Sequence, residues 1–203
     1  MKRWALLCGA MLVFAGIASA QDEKVEVFGG YSYVRASESL LGTNSASNFN
    51  GGSGSVAYNF TPMFAVVADV GGYHNSQTIE DFNIDATAVS YMFGPKVSYH
   101  AGPITPFVQV LLGGTHLSGT GTETDCEDTR VHREGGEPVC SNSVSQNAFS
   151  MTIGGGIDWN VTHHIGVRIV QAEYYMTRFN IADVTTSDQQ NNLRLSAGVT
   201  FRF

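Results

Sequence analysis

Apolar and polar positions alternate with a period of two along most of the chain. In the final segment, LRLSAGVTFRF, every second residue from Leu193 to Phe203 is apolar or small, and the residues between them are polar or glycine. A period of two places these two classes on opposite faces of a β-strand. Eight segments with this pattern predict strands at about 25–35, 48–60, 63–74, 86–100, 104–117, 147–159, 164–179 and 193–203.

The connections between the predicted strands are alternately long and short. The long ones span about 36–48, 75–85, 118–146 and 180–190, whereas NFTP, HAGPI and NVTHH are short. Short turns at one end and long loops at the other are typical of barrels in the bacterial outer membrane. The pattern therefore predicts an all-β fold, an eight-stranded antiparallel up-and-down transmembrane β-barrel. Both termini would lie in the periplasm and four long loops would lie outside the cell.

The two faces of the predicted strands carry different residues. A soluble lipocalin-like barrel would place bulky apolar residues inside and charges outside, but here the charges share a face with Gly and Ser. Eight strands leave an interior about as wide as its side chains. We therefore expect the bulky face to contact lipid and a paired charge network to fill the lumen, although the same residues could form a gate or a proton path. The predicted network is Glu26, Asp69, Lys96, Arg168, Gln171, Glu173 and Arg194.

Two strands depart from strict alternation. In the seventh, Ile165, Val167 and Ile169 share a face that would also receive Gln171 and Glu173 if the period continued. A carboxylate facing lipid is costly, so we expect a bulge near Val170 that turns both polar side chains inward. In the fourth strand, Pro95 follows Gly94 and cannot donate to the ladder, which predicts a local kink.

Aromatic residues cluster near the ends of the predicted strands, as in the girdles at membrane interfaces. The girdle at the short turns would contain Phe60, Phe64, Tyr99, Trp159, Phe201 and Phe203, and the girdle at the long loops would include Tyr33, Tyr73 and Phe179.

The composition agrees with export and strand-based membrane crossing. Only 14% of the residues are charged, against about a quarter in soluble domains. The first 20 residues contain Lys2 and Arg3, an apolar run and Ala18-Ser19-Ala20, which predict a signal peptide at 1–20 and a mature barrel domain at 21–203. After residue 20, no apolar run approaches the length of about 20 residues that a membrane helix needs.

The cysteines support the same compartment. Cys8 lies within the predicted signal peptide, so the mature chain would keep Cys126 and Cys140 in its longest loop. An even pair in an exported protein favours a disulfide.

The four long connections are acidic, with twelve Asp and Glu residues against Arg130 and Arg133. Without a basic stripe, the chain is not expected to bind nucleic acid. The segment ETDCED could bind calcium, but it lacks the ligand spacing of a calcium loop. Divalent ions could also bridge the acidic loops to lipopolysaccharide. No phosphate loop, zinc spacing or cofactor fingerprint occurs, so we expect no metal and no cofactor.

Six stretches follow one another along nearly all of the mature chain: VFGGYSYVR, FGPKVSY, TPFVQVLLGG, IGGGIDW, RIVQAEYYMTRF and VTFRF. In content and order they resemble the small OmpA-like and OmpX-like outer-membrane barrels, in particular the outer membrane protein beta-barrel domain of many Gram-negative bacteria. The resemblance implies that the terminal aromatic strand is recognised by the barrel assembly machinery. It assigns this signal to Phe201 and Phe203.

Two classes of function remain open for such a barrel. His116 and Ser118 form a His-x-Ser pattern similar to that of outer-membrane lipid A deacylases, although Gly119 follows the serine and no orienting acid is evident. A histidine base must lie within hydrogen-bond reach of its nucleophile. We instead expect a non-enzymatic scaffold, embedded in outer-membrane lipid and lipopolysaccharide, with a structural or adhesin-like role and loops that could bind an extracellular ligand.

Overall fold

A computed structural model describes residues 24–36, 48–79, 82–123, 140–179 and 188–203. Each strand pairs antiparallel with the next, and β8 pairs with β1 to close the barrel. This confirms the predicted fold class. In the described part of the chain, no helix is long and apolar enough to cross a membrane. The strands are β1 (Val25–Ala36), β2 (Asn48–Asn59), β3 (Phe64–Ile79), β4 (Phe82–Ser98), β5 (Ile104–Glu123), β6 (Cys140–Asn160), β7 (Ile165–Phe179) and β8 (Asp188–Arg202).

The two faces of the barrel have inverted polarity compared with a water-soluble protein. On β3, Val66 and Val70 point outward with 44% and 56% of their surfaces exposed, whereas Asp69 between them is 3% exposed. The same order holds on β8, where Leu193 is exposed and Arg194 is buried. Bulky apolar side chains thus form the outer surface, and charged side chains lie in the lumen.

The predicted bulge lies in β7 at Ile169 and Val170. Register shifts occur there against both neighbours: Arg168 and Gln171 face Gly198 and Ser196 on β8, so two residues of β7 oppose one of β8. Ile169 and Val170 both point outward, at 55% and 41% exposure. The extra residue reverses the parity of the strand after it, and Gln171 and Glu173 point inward as expected, at 2% and 1% exposure.

The ladder between β4 and β5 is interrupted where Pro95 lies. Pairs form at Phe93 with Leu112 and at Lys96 with Gln109, but Gly94 and Pro95 have no partner on β5. Proline has no N–H to donate, so the gap follows from its chemistry. The register is the same on both sides of the gap, and Lys96 therefore stays in the lumen.

The six aromatic side chains of the predicted girdle at the short turns all point outward and are between 39% and 66% exposed. At the opposite end, the prediction for Tyr73 is wrong, because this residue is 3% exposed and lies inside the barrel. It has the parity of Val67 and Asp69, and the period of two therefore directs it to the lumen. The side chain of Phe179 lies outside the described residues.

Strands β3 to β6 continue beyond their neighbours at the long-loop end. The β2–β3 ladder ends at Asn50 and His74, and the β6–β7 ladder ends at Ala148 and Phe179. Strands β3 and β4 nevertheless continue to the pair Ile79–Phe82, and β5 and β6 continue to Glu123–Cys140. The resulting protruding sheet comprises residues 75–79, 82–86, 117–123 and 140–147.

The predicted long connections at 75–85 and 118–146 overlap this protruding sheet, so the prediction of loops there is wrong for much of their length. Its segments NSQTI and CSNSVSQN are polar at nearly every position. When both faces of a strand meet water, no alternation between apolar and polar residues is needed. The strand signal is therefore absent from the sequence even though the ladder continues.

The bulge generates a test with a matched control. Deleting Val170 removes the extra residue but leaves Gln171 and Glu173 on the lumen side, so we expect a folded barrel. Deleting Ala172 forces one of these two polar side chains onto the outer face, so we expect folding to fail. Heat-modifiable mobility in gel electrophoresis, which separates folded from unfolded barrels, measures both. Equal folding of the two deletions would contradict the role of the bulge.

Candidate functional site

The lumen near the short turns holds five charged side chains, here called the lower cluster: Glu26, Lys96, Asp158, Arg168 and Arg202. Glu26 is shared by all three cations. It accepts hydrogen bonds from Lys96 Nζ at 2.6 Å, Arg168 Nη2 at 3.0 Å and Arg202 Nε at 3.3 Å. All five are buried, with exposures from 0% to 7%.

Arg168 lies at the centre of the lower cluster, where its guanidinium makes hydrogen bonds and also contacts two aromatic rings. It contacts Asp158 through two hydrogen bonds, Nε to Oδ1 at 2.8 Å and Nη2 to Oδ2 at 3.0 Å, and its Nη1 donates to Gln171 Oε1 at 2.7 Å. Its guanidinium lies 4.3 Å from the ring centroid of Phe28 and 4.4 Å from that of Phe107. Arg168 and Gln171 can meet inside the barrel because the bulge lies between them.

A second group, here called the upper cluster, lies nearer the long loops and consists of Arg194 with Asp69, Glu173, Gln109 and Tyr73. Arg194 Nη1 donates to Asp69 Oδ1 at 2.8 Å and to the Tyr73 hydroxyl at 3.2 Å, while its Nε lies 2.6 Å from Glu173 Oε2. Gln109 Nε2 completes the contacts of Glu173 by donating to Oε1 at 2.9 Å.

Charge balances across the two clusters together but not within each. The lower cluster has three cations and two carboxylates, and the upper cluster has one cation and two carboxylates. Buried charges are tolerated when opposite charges and further hydrogen bonds satisfy them. The interior is neutral as a whole, which suits a lumen that excludes bulk water.

Hydroxyl groups and aromatic rings occupy the lumen above the charges. Thr115 Oγ1 lies 2.7 Å from Ser150 Oγ and also contacts the Tyr175 hydroxyl. Toward the long loops, a small cavity of about 40 Å³ is lined mainly by apolar residues, among them Val34 and Phe49. The lumen is thus lined by polar side chains in its middle and mainly by apolar side chains at its long-loop end.

All seven residues of the predicted lumen network lie inside the barrel, but they form two groups instead of one. Lys96 pairs with Glu26 across the lumen and not with Asp69 on the adjacent strand. The prediction omitted Asp158 and Arg202, which carry charge in the lower cluster, and Gln109. Their parity on β5, β6 and β8 would have identified them, since each shares a face with glycine, serine or threonine.

The candidate catalytic pair lies on the outer surface, where it is not assembled as the deacylase pattern requires. His116 Nδ1 lies 2.8 Å from Asn147 Oδ1, and its Nε2 lies 3.3 Å from Ser145 Oγ. Among the described residues, no hydrogen bond joins His116 to Ser118, which is exposed two positions further along β5.

The remaining predicted sites fall partly outside the described residues. Cys126 lies there, so the disulfide with Cys140 stays a prediction, as does calcium binding by ETDCED. In the described ranges, no group of three His, Cys, Asp or Glu side chains is arranged to hold a metal ion. Phe201 and Phe203 lie on the outer face, 44% and 39% exposed, and their role in assembly stays a prediction.

Comparison with known proteins gives a consistent result. Residues 5–203 match the family described as "Outer membrane protein beta-barrel domain". Ail, the attachment invasion locus protein of Yersinia pestis, has a similar fold, with a TM-score of 0.59, 16% identity, and coverage of 90% of this chain and 100% of Ail. Neisserial surface protein A gives a TM-score of 0.51 at 18% identity, covering 88% of this chain and 97% of that protein. No curated protein sequence matches the chain.

The upper cluster generates a stability prediction. Arg194→Gln leaves Asp69 and Glu173 buried without their cation, so we expect a loss of about 3–5 kcal/mol in the free energy of unfolding. The matched variant Arg178→Gln removes an exposed cation and should cost less than about 1 kcal/mol. Urea unfolding of the refolded barrel, followed by the fluorescence of Trp159, measures both.

A charge-neutralising variant separates charge from packing in the same experiment. Adding Asp69→Asn and Glu173→Gln to Arg194→Gln removes the uncompensated carboxylates, and part of the lost stability should return. If the triple variant is no more stable than Arg194→Gln, the loss does not arise from unpaired charge.

Proposed function

Because the chain belongs to the outer membrane protein beta-barrel domain family, we propose that it is a non-enzymatic scaffold of the outer membrane that holds a surface-interaction element outside the cell. The short turns and both termini would face the periplasm, and the long loops would face the exterior. Two features support this function: a lumen filled by side chains and a sheet that extends beyond the barrel at the long-loop end.

The lumen is the first part of the proposal. The lower and upper clusters cross it at two levels, and Arg168 between the Phe28 and Phe107 rings is only 2% exposed. Each guanidinium is held by several contacts from different strands, so opening a path would require several buried ion pairs to separate together. The side chains would therefore close the lumen, and the barrel would not act as a pore.

Conductance tests whether the lumen is closed. In planar bilayers, the purified wild-type barrel should show no sustained conductance of the size expected for a solute channel, and vesicles containing it should not swell in arabinose faster than empty vesicles. Vesicles treated with the same detergent but without protein are the control. Stable, large openings of the wild type would overturn the proposal that the lumen is closed.

The protruding sheet is the observation that carries the proposed surface role. Its outer strands are β3 and β6, which beyond His74 and Ala148 have a paired neighbour on one side only among the described residues. Proteins commonly protect such edges with lysine or proline. The edge segments NSQTI and CSNSVSQN contain neither, and they carry no charge. Such an edge can accept an extended segment of a partner protein through main-chain hydrogen bonds.

The chemistry of the partner can be narrowed by charge. A structure of Ail in complex with the heparin analogue sucrose octasulfate has a TM-score of 0.56 to this chain at 16% identity. Here, however, the long-loop end is acidic: residues 36–48, 75–85, 118–146 and 180–190 hold twelve Asp and Glu residues against two Arg residues. A polyanion would be repelled by this surface. We therefore assign a polypeptide, neutral or basic, as the partner class instead of a sulfated sugar.

A truncation tests the surface role. Replacing residues 120–143 by an Asn-Gly turn joins Gly119 to Val144, which already face each other across the ladder. The matched control replaces residues 180–187 in the same way, between the paired Phe179 and Asp188. We expect cells producing the first variant to lose adhesion to cultured epithelial cells, while the control variant keeps it. Heparin binding should be absent in both.

The same cells separate a scaffold from a lipid-modifying enzyme. Lipid A from cells with the wild type, with His116→Ala and without the protein should give identical mass spectra. Loss of acyl chains that requires His116 would replace the scaffold by the enzymatic alternative.

In the adhesion experiment, equal adhesion by cells producing the truncated variant and cells producing the control variant would contradict the surface role of the protruding sheet.

A further inference from the structure

Two arginines lie on the outer surface of the barrel, near the long loops. Arg35 on β1 and Arg178 on β7 are exposed, and each follows a buried residue, Val34 or Thr177, so the period of two directs it outward. In the eight described strands, they are the only lysine or arginine residues on the outer face. The others are buried in the lumen: Lys96, Arg168, Arg194 and Arg202.

The two exposed arginines lie at nearly the same height although they belong to different strands. Arg35 is paired with Leu193 on β8, which is paired with Tyr174 on β7. Such pairs climb toward the long loops in the order of the strands, because following them once around the ring leads from Val25 to Arg35. Arg178 lies four residues further up β7 than Tyr174. With the usual strand spacing, rise and tilt, the two arginine Cα atoms are about 16 Å apart and differ in height by less than about 5 Å.

The polar groups beside these arginines are suited to donate hydrogen bonds. Asn48 is paired with Arg35 across the ladder, and Asn191 lies on β8, between the strands of the two arginines. The Tyr33 hydroxyl donates to Asn48 Oδ1 at 2.8 Å, and the Tyr174 hydroxyl donates to Asn191 Oδ1. Because its carbonyl oxygen is occupied, Asn48 offers a ligand its amide N–H₂ group. Among the side chains described on β7, β8, β1 and β2, none on the outer face is acidic.

The acidic residues of the long connections are unevenly distributed around the ring. Segments 75–85 and 118–146 connect β3 with β4 and β5 with β6, and they hold nine Asp and Glu residues against two Arg residues. Segments 36–48 and 180–190, which follow Arg35 and Arg178 along the chain, hold only three. The arginines are therefore on the side of the barrel opposite the protruding sheet, where repulsion of an anion is weakest.

An apolar surface continues directly below the arginines. Leu193 and Tyr174 are each 44% exposed, and Val199 and Phe201 extend this face toward the short turns. In an outer-membrane barrel, acyl chains cover such a face and the headgroups begin where it ends. An anion with acyl chains attached covers both surfaces at once, so the arrangement suits a lipid better than free phosphate.

We propose that Arg35 and Arg178 bind an outer-leaflet glycolipid whose sugar headgroup carries two phosphates, with one phosphate at each guanidinium. Arginine presents paired N–H groups that match two oxygens of a phosphate. A disaccharide with a phosphate at each end can span the two arginines, whereas a single phosphate meets both only if both side chains stretch toward each other. Asn48 donates to the headgroup beside Arg35. The inference rests on the proposed orientation, in which the long loops lie outside the cell.

Native mass spectrometry of the refolded barrel in maltoside micelles measures binding. The probe is diphosphoryl lipid A, titrated with EDTA present so that divalent ions cannot bridge it to acidic residues. We expect the wild type to bind one molecule saturably. Arg35→Gln and Arg178→Gln should each weaken binding about threefold, and the double variant about tenfold, as for exposed charges at separate positions.

Lys24→Gln is the matched control. It removes one exposed cation at the short-turn end and changes the net charge equally, so it should leave binding unchanged. All three substitutions alter exposed side chains, and heat-modifiable mobility should show that each variant folds like the wild type. Equal weakening by Lys24→Gln would indicate unspecific attraction and would overturn the site.

The outcome is independent of the adhesion experiment, because micelles have neither sides nor host cells. If the arginine substitutions leave lipid A binding unchanged while the truncation abolishes adhesion, the lipid site is wrong and the proposed surface role stands. If they weaken binding while the truncation has no effect on adhesion, the lipid site stands and the surface role is wrong.

Monophosphoryl lipid A tests whether each phosphate has its own arginine. The wild type should bind it about threefold more weakly than the diphosphoryl form, and only one of Arg35→Gln and Arg178→Gln should weaken binding further. Equal effects of both substitutions on both lipids would contradict the one-to-one pairing. Phosphatidylglycerol, which has one phosphate and no sugar, should compete poorly; competition equal to that of lipid A would overturn the assignment of a glycolipid.

Discussion

Val25 and Phe203 exchange two backbone hydrogen bonds, at 3.0 and 2.8 Å, where β8 returns to β1. This ladder closes the sheet, and closure satisfies the backbone groups of both terminal strands without water. Closure also gives the side chains two different environments, because each one must point either into the lumen or toward the outer surface. The outward belt of Val, Phe and Tyr, the inward charges and the bulge in β7 all follow from this division.

An interior of fixed width limits what the inward residues can do. Eight strands leave space for side chains but little for water, so each charge needs a partner from another strand. Glu26 meets cations from β4, β7 and β8, and Arg194 meets carboxylates from β3 and β7. The charge network therefore crosses the barrel and ties together strands that share no backbone hydrogen bonds.

Period-two alternation was enough to predict the barrel, the faces of its strands and the bulge, because a single residue out of phase would place Glu173 in lipid. Alternation could not predict which side chains pair across the lumen, because that depends on the shear of the whole sheet. Lys96 on β4, for example, pairs with Glu26 on β1 and not with Asp69 on the adjacent strand β3. Tyr73 was misassigned because its residue type suggested a girdle, although its parity indicated the lumen. The outer strands of the protruding sheet, NSQTI and CSNSVSQN, have no alternation to detect, because they are polar at nearly every position.

The sharing of Glu26 among three cations has a consequence for the closure of the ring. Glu26 lies on the first strand, whereas Lys96, Arg168 and Arg202 belong to strands β4, β7 and β8. A sheet of seven strands that lacks β1 would expose two open edges, on β2 and β8, and within the lower cluster it would hold these cations with only Asp158 to compensate them. In the finished barrel, the strand that closes the ring is therefore also the strand that brings Glu26 to these cations.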